Sequence, residues 1–222
     1  KNIVVDNGKS LTLEYSPSAK VKVNQNILKS TTGNGIEFVG SPSSSNHLFT
    51  NNSIISDGNS IYFGGSDSYH SNSMQFTLNT FAGSPASELI NIEYGSGHSF
   101  DANNFPAVSS GTYTIKTQTA NAISAENSYW GSTSTSDIRS AIYDYSDDFE
   151  QGAVDYDPYL SSPSTAAPIS PPSLAGKQPS GSNVLLTWNA NPESDLSGYK
   201  IYYGGYTGYS FSNVKDVGNV TS

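Results

Sequence analysis

Phe76-Thr77-Leu78-Asn79-Thr80-Phe81 is the stretch that decides the fold, because its pattern returns along the chain at a nearly fixed interval. The pattern is apolar–x–x–Asn–x–apolar. Val23-Asn24-Gln25-Asn26-Ile27-Leu28 and Phe49-Thr50-Asn51-Asn52-Ser53-Ile54 precede it, and Phe100-Asp101-Ala102-Asn103-Asn104-Phe105 follows. A slipped copy, Ile123-Ser124-Ala125-Glu126-Asn127-Ser128-Tyr129-Trp130, closes the series. The steps between Asn26, Asn52, Asn79, Asn103 and Asn127 are 26, 27, 24 and 24 residues. A period in this range marks stacked coils, each burying its apolar side against its neighbours.

A second column runs beside the first. Ile36-Glu37-Phe38, Ile61-Tyr62-Phe63, Ile90-Asn91-Ile92 and Tyr113-Thr114-Ile115 alternate apolar and polar residues, as half-buried strands do. Clusters such as Thr31-Thr32-Gly33-Asn34-Gly35 and Ser56-Asp57-Gly58-Asn59-Ser60 separate the columns with turn chemistry. No unit carries the i, i+3, i+4, i+7 spacing of a helical repeat. Each coil should therefore hold two or three short parallel strands joined by corners. Parallel strands lie about 4.8 Å apart, so a side chain repeated in every coil meets copies of itself. An Asn amide both donates and accepts, which suits it to such a stack. It also tolerates a left-handed backbone, which places the Asn itself at the corner. Asn26, Asn52, Asn79, Asn103 and Asn127 are thus read as a structural ladder rather than a ligand set.

Repeats of this length with stacked Asn and aliphatic columns resemble the right-handed parallel β-helix of pectate-lyase-like extracellular proteins. Glu126-Asn127-Ser128-Tyr129-Trp130-Gly131-Ser132 resembles the Asn-x-Trp-Trp-Gly type of sequence that closes such solenoids in bacterial surface proteins. Tyr129 stands where that family often has Trp. The stretches at 138–144 and 154–160 match what usually follows. The resemblance covers about residues 1–162 and implies an all-β chain, with a right-handed parallel β-helix over residues 1–132. No capping helix precedes the first strands, so residue 1 is not expected to be the natural start.

Residues 133–160 read as a short C-terminal cap of the solenoid. Ser134 or Ser136 can cap a helix there, Asp137 suits its first turn, and Ile138, Ala141, Ile142 and Tyr145 share one face. Asp144, Asp147, Asp148, Glu150, Asp155 and Asp157 gather in the same segment. They read as a solvated acidic face. Calcium is the alternative occupant, although the spacing matches no EF-hand loop. Residues 161–172, rich in Pro, Ser and Ala, read as a semi-rigid linker. Beyond it, Leu186-Thr187-Trp188-Asn189 and Asp195-Leu196-Ser197-Gly198-Tyr199-Lys200-Ile201-Tyr202-Tyr203 resemble a fibronectin type III module. Residues 173–222 hold only about half of the roughly 100 residues such a β-sandwich needs, so the module is expected to be partial. Its open strands should be mobile or invite strand addition from a partner.

Composition sets limits. The 222 residues carry a net charge of −9, 13% charged side chains and no Cys. That balance disfavours nucleic acid and anionic membranes and removes disulfides and thiolate chemistry. No apolar run is long enough to span a bilayer. Solubility rests on Ser, Thr, Asn and Gly, which suits an extracellular or cell-surface solenoid.

Catalysis finds little support. A uronate lyase needs a cation and a base, yet the only arginine is Arg139, outside the strands. A glycosidase needs two carboxyls about 5–10 Å apart. Glu37 and Glu93 lie two coils apart on one strand column, pointing outward, with Tyr62 between them. His47, His70 and His98 read as surface-loop residues. The expectation is a non-catalytic structural or adhesive segment of a larger secreted or surface-anchored bacterial protein. The alternative is part of a polysaccharide lyase or glycoside hydrolase whose catalytic coils lie upstream. Exposed aromatic and polar groups at Glu37, Tyr62, Asp67, Tyr69, Asn91 and Glu93 form the candidate carbohydrate-contact surface. No cofactor is expected; the partners expected are polysaccharide or other surface proteins.

Overall fold

Turn chemistry and alternation cut the chain into short strands that repeat in order. The first coil holds β1 (Ile3–Asp6), β2 (Leu11–Leu13) and β3 (Lys22–Asn24). The second holds β4 (Ile27–Ser30), β5 (Ile36–Phe38) and β6 (His47–Thr50). The third holds β7 (Ser53–Ser56), β8 (Ile61–Phe63) and β9 (Met74–Thr77), and the fourth β10 (Thr80–Ala82) and β11 (Glu88–Ile92). The last holds β12 (Tyr113–Thr117) and β13 (Ile123–Ser124). The computed structural model describes residues 3–6, 8–14, 20–39, 47–66, 70, 72–172, 174–181, 183–191, 193–207 and 210–222. The chain is all-β, 3% helical, and winds as a β-solenoid of about five turns.

Equivalent strands pair in parallel. β1, β4, β7 and β10 form a four-stranded sheet, and β3, β6 and β9 a three-stranded one. β2, β5, β8, β11 and β12 belong to a six-stranded sheet that ends in β14 (Ile142–Tyr143). The register is strict. Ile36, Ile61, Ile90, Ile115 and Ile142 form one interior line. Phe38 stacks on Phe63 at 4.6 Å, while Phe49, Phe76 and Phe100 stack at 4.5 and 5.1 Å. The two columns meet edge to face, as between Phe63 and Phe76 at 6.3 Å. Both arrangements suit the ring quadrupole, at about 0.5–1.5 kcal/mol per pair beyond burial.

A polar ladder runs through this apolar interior. Asn79 Oδ1 accepts from Asn52 N and Asn52 Nδ2, both at 3.0 Å. Asn103 Oδ1 accepts from Asn79 N and Nδ2 in the same way, at 2.8 and 3.1 Å. Asn52 does so for Asn26, at 2.9 and 3.2 Å. The amide nitrogens also donate to main-chain carbonyls, Asn79 to Phe49 and Asn103 to Phe76. Asn52, Asn79 and Asn103 are wholly buried.

The fifth rung differs from the sequence reading. Asn103 N donates to Ser128 Oγ at 3.0 Å, and Ser128 is the buried residue. Asn127 is exposed and has φ +55°. The corner geometry explains the shift. The left-handed residue is the one before each rung: Gln25, Asn51, Leu78, Ala102 and Asn127, with φ between +53° and +59°. The ladder residue is therefore not itself at the left-handed position. Leu78 and Ala102 sit there at a cost of about 1–2 kcal/mol each, which the stacked bonds offset.

The cap closes the last coil. Helix α1 (Thr135–Ser140) is N-capped by Ser134, whose side chain accepts from Asp137 N. Ile138, Ala141 and Ile142 are buried. Tyr145 is not on that face: it lies beyond the helix, 51% exposed, against Phe149. β15 (Val154–Asp155) pairs with β13. Residues 161–170 are not a free linker, because Ser164 and Pro168 are hydrogen-bonded to the solenoid. The compact units divide at Ser170 and Pro171.

The second unit contains two antiparallel hairpins, β16 (Leu174–Ser180) with β17 (Asn183–Trp188), and β18 (Tyr199–Thr207) with β19 (Ser210–Gly218). No complete sandwich forms among its described residues. Trp188 and Tyr199 bury each other at 5.3 Å between the hairpins. Val184, Leu185, Tyr202, Phe211 and Val214 remain exposed.

The ladder sets two tests. Asn79→Leu removes the acceptor of both Asn52 donors, so it should lower stability by about 3 kcal/mol in chemical denaturation. An unchanged midpoint would contradict the ladder. Ala102→Gly relieves the left-handed strain and should raise stability by roughly 0.5–1 kcal/mol, whereas Ala102→Val should lower it.

Candidate functional site

The polar positions of the six-stranded sheet fall into one outward column: Thr12, Glu37, Tyr62, Asn91, Lys116 and Tyr143. Strand register alone brings these residues together from across the sequence. Tyr62 leans along its own strand over Gly64. A Cβ on Gly64 would lie 2.6 Å from Tyr62 Cε1, so the bare glycine makes room for the ring. In that position Tyr62 OH donates to Glu93 Oε2 at 2.8 Å. Burial, then the hydrogen bond to the Glu93 carboxylate, pushes the Tyr62 phenol up to about 12.

Neighbours tie the rest of the column down. Glu37 ion-pairs with Lys9. Asn91 donates to Glu88 Oε1 at 3.2 Å and accepts from Gln118 Nε2 at 3.0 Å. Lys116 Nζ lies 5.9 Å from the centre of the Tyr143 ring, which packs on Tyr113.

Of the six residues read as a carbohydrate-contact surface, Glu37, Tyr62 and Asn91 share the column, and Glu93 joins it through Tyr62. Asp67 and Tyr69 lie outside the described residues. Glu37 and Asn91 are each only 7% exposed, so they support the face rather than present it. The accessible part lies past the C-terminal ends of β11 and β12, in an open cleft of about 360 Å³. His70, Glu93, Tyr94, Gln118 and Asn121 line it, with the His70 and Tyr94 rings near parallel at 6.4 Å. Glu93 is the one carboxylate among the described lining residues, and no Lys or Arg is among them. Sequence reasoning found Glu93 by its column. It missed Gln118 and Asn121, which follow the strand rather than lie in it.

The expected solvated acidic face of the cap is partly an internal bonding network. Arg139 Nη2 donates to Asp144 Oδ1 at 2.8 Å and also pairs with Asp147. Asp144 further accepts from Ser146 N and Val154 N and is 4% exposed. Asp148 takes Glu150 N and Gln151 Nε2. Among the described residues no group of three His, Asp or Glu is placed to hold a metal ion.

Two of the three histidines are not surface-loop residues. His47 is 1% and His98 2% exposed. His47 Nδ1 accepts from Val21 N and His98 Nδ1 from Met74 N, each from the neighbouring coil. His98 also packs against Phe63 at 4.2 Å.

Comparison with protein-family models, with curated proteins and with solved structures found no match to this chain.

Burial pushes His98 down to about 4 from its ordinary 6.5. Between those values the unfolded chain binds a proton that the folded chain does not, so stability rises with pH across the window. Acidification from pH 7 to pH 4 should remove about 3 kcal/mol through this group. His98→Gln should show a smaller loss over the same range; an identical pH profile would contradict the assignment.

Proposed function

We propose that this chain is a non-catalytic segment of a larger secreted or cell-surface bacterial protein, whose solenoid acts as a rigid rod and displays a polysaccharide-contact surface. The finer architecture in this reading is a right-handed parallel β-helix of pectate-lyase-like type. The second unit serves as a spacer derived from a fibronectin type III-like module. The observation that carries the reading is the cleft of His70, Glu93, Tyr94, Gln118 and Asn121 beside a strictly registered sheet face. Aromatic rings, amides and one carboxylate suit a ring of hydroxyl groups. Among the described lining residues there is no Lys or Arg, which favours a neutral or N-acetylated glycan over a polyuronate.

The non-catalytic part of the reading rests on how the charged groups are engaged. Glu93 accepts from Tyr62, Glu37 pairs with Lys9, and Arg139 is held by Asp144 and Asp147. The low charge content, with solubility carried by Ser, Thr, Asn and Gly, supports an extracellular setting. Among the described residues no helix is long and apolar enough to cross a membrane.

The test is retention of the full chain on insoluble cellulose, xylan and chitin. At least one should hold it, and Tyr94→Ala and Gln118→Ala should each weaken retention by about tenfold, near 1.4 kcal/mol, with the β-solenoid still folded by circular dichroism. No retention on any of them, or retention indifferent to both substitutions, would contradict the proposal.

A further inference from the structure

Register between β11, β12 and β14 sets Asn91, Lys116 and Tyr143 in one outward line. Two residues further along each strand direction stand Glu93, Gln118 and Tyr145. Glu93 and Gln118 line the cleft. Tyr145 is next in that order, on the side of the cap, and is 51% exposed. The Phe149 ring meets it edge to face at 5.4 Å and is itself 80% exposed. A second pair of rings thus follows the His70–Tyr94 pair along the same side of the solenoid.

The loop that carries this second pair is bonded within itself. Asp144 O accepts from Asp147 N and Asp148 N, and Asp148 O accepts from Gln151 N. The Asp148 carboxylate accepts from Glu150 N and Gln151 Nε2. The loop is also joined to the cleft wall. Tyr145 N donates to Gly152 O at 3.3 Å, and Gly152 N donates to Thr119 O at 2.7 Å. A side chain at Gly152 would run into Asn121 O, so the bare glycine lets the loop lie against the chain that lines the cleft. An apolar ring held in water by a bonded loop adds little burial to the fold; it suits a surface ligand.

The polar groups between the two ring pairs share one character. Gln118 Nε2 is engaged by Asn91 Oδ1, and Asn121 Nδ2 by Gly95 O and Thr119 Oγ1. Glu93 Oε2 accepts from Tyr62 OH. Glu93 Oε1, Gln118 Oε1 and Asn121 Oδ1 have no partner among the described residues, and all three are acceptors. A ligand that satisfies them brings donors, as sugar hydroxyls do. Glu93 and the exposed Glu150 disfavour anionic sugars.

We propose, building on the glycan reading of the cleft, that the site is a groove for an internal stretch of a linear, neutral polysaccharide lying along the solenoid axis. The His70–Tyr94 and Tyr145–Phe149 pairs are its two ring platforms, with the acceptors of Glu93, Gln118 and Asn121 between them. His70, Tyr94, Gln118 and Tyr145 follow β8, β11, β12 and β14, which are successive neighbours in the six-stranded sheet. Three steps of about 4.8 Å give a groove of about 14 Å, the length of about three linked pyranose rings. Sugar faces stack on the rings at either end, and hydroxyl groups meet the acceptors between.

Calorimetric titration of the full chain with cello-, xylo- and N-acetylchito-oligosaccharides, from disaccharide to hexasaccharide, tests the groove. In at least one series affinity should rise about tenfold from the disaccharide to the tetrasaccharide and then level off. Phe149→Ala should remove that rise, weakening the tetrasaccharide about tenfold and leaving the disaccharide unchanged. Phe149→Tyr keeps a ring and should bind like the parent, whereas Tyr94→Ala should weaken both lengths. Tetragalacturonate should bind more weakly than the neutral tetrasaccharide. The groove is overturned, with the cleft reading intact, if disaccharide and tetrasaccharide bind alike or if Phe149→Ala changes neither. Both fall together if no oligosaccharide binds in any series. Sedimentation velocity tests the competing occupant: self-association of the parent that Phe149→Ala abolishes would assign the rings to a second copy of the chain and overturn the proposal. Phe149 lies outside the core, so its variants should keep the parent's circular dichroism. Loss of the β signal in Phe149→Ala would make the ring structural and overturn its assignment to a glycan.

Discussion

The buried Asn ladder is the constraint on which the rest of the solenoid depends. Each rung has to face its copy at the spacing of parallel strands, about 4.8 Å. Only at that spacing and in that register can one carbonyl accept from both a main-chain and a side-chain nitrogen of the adjacent coil. A slip of one residue would turn the amides toward solvent and the outward residues inward. Apolar packing alone tolerates such rearrangement, because the hydrophobic effect is not directional. The ladder therefore supplies specificity, and the Phe and Ile columns supply the bulk of the burial.

Register in the interior dictates what lies outside. The line Ile36, Ile61, Ile90, Ile115 and Ile142 fixes Glu37, Tyr62, Asn91, Lys116 and Tyr143 opposite it on the outer face. The Tyr62–Glu93 bond, the Asn91–Gln118 bond and the cleft past the ends of β11 and β12 follow from that line. The same logic places Thr80 and Asn104 one above the other on another face, where a backbone segment can bind across coils. Strain falls at the corners, where Leu78 and Ala102 take a backbone that their side chains disfavour.

Much of this was legible in the sequence because the period is written in residues with few alternative explanations. The Asn spacing and the Ile-x-Phe alternation led directly to stacked strands. The fifth rung was misread because Asn127 attracts the eye, whereas the frame Ala125-x-x-Ser128-x-Trp130 keeps the true register with a shorter polar side chain. The left-handed corner was misplaced by one position, since no residue preference marks Leu78 or Ala102. His47 and His98 carry no sequence sign of burial. The docking of residues 163–168 was invisible for a different reason: it uses backbone groups of the segment, which every sequence possesses.

The most direct measurement is hydrogen exchange of the side-chain amide groups of Asn52, Asn79 and Asn103 by NMR. Buried in the ladder, they should exchange only through global unfolding, with protection matching the slowest backbone amides of β7 and β8. Exchange at the rate of a free carboxamide, in a chain whose strands remain protected, would show that the ladder does not hold the coils.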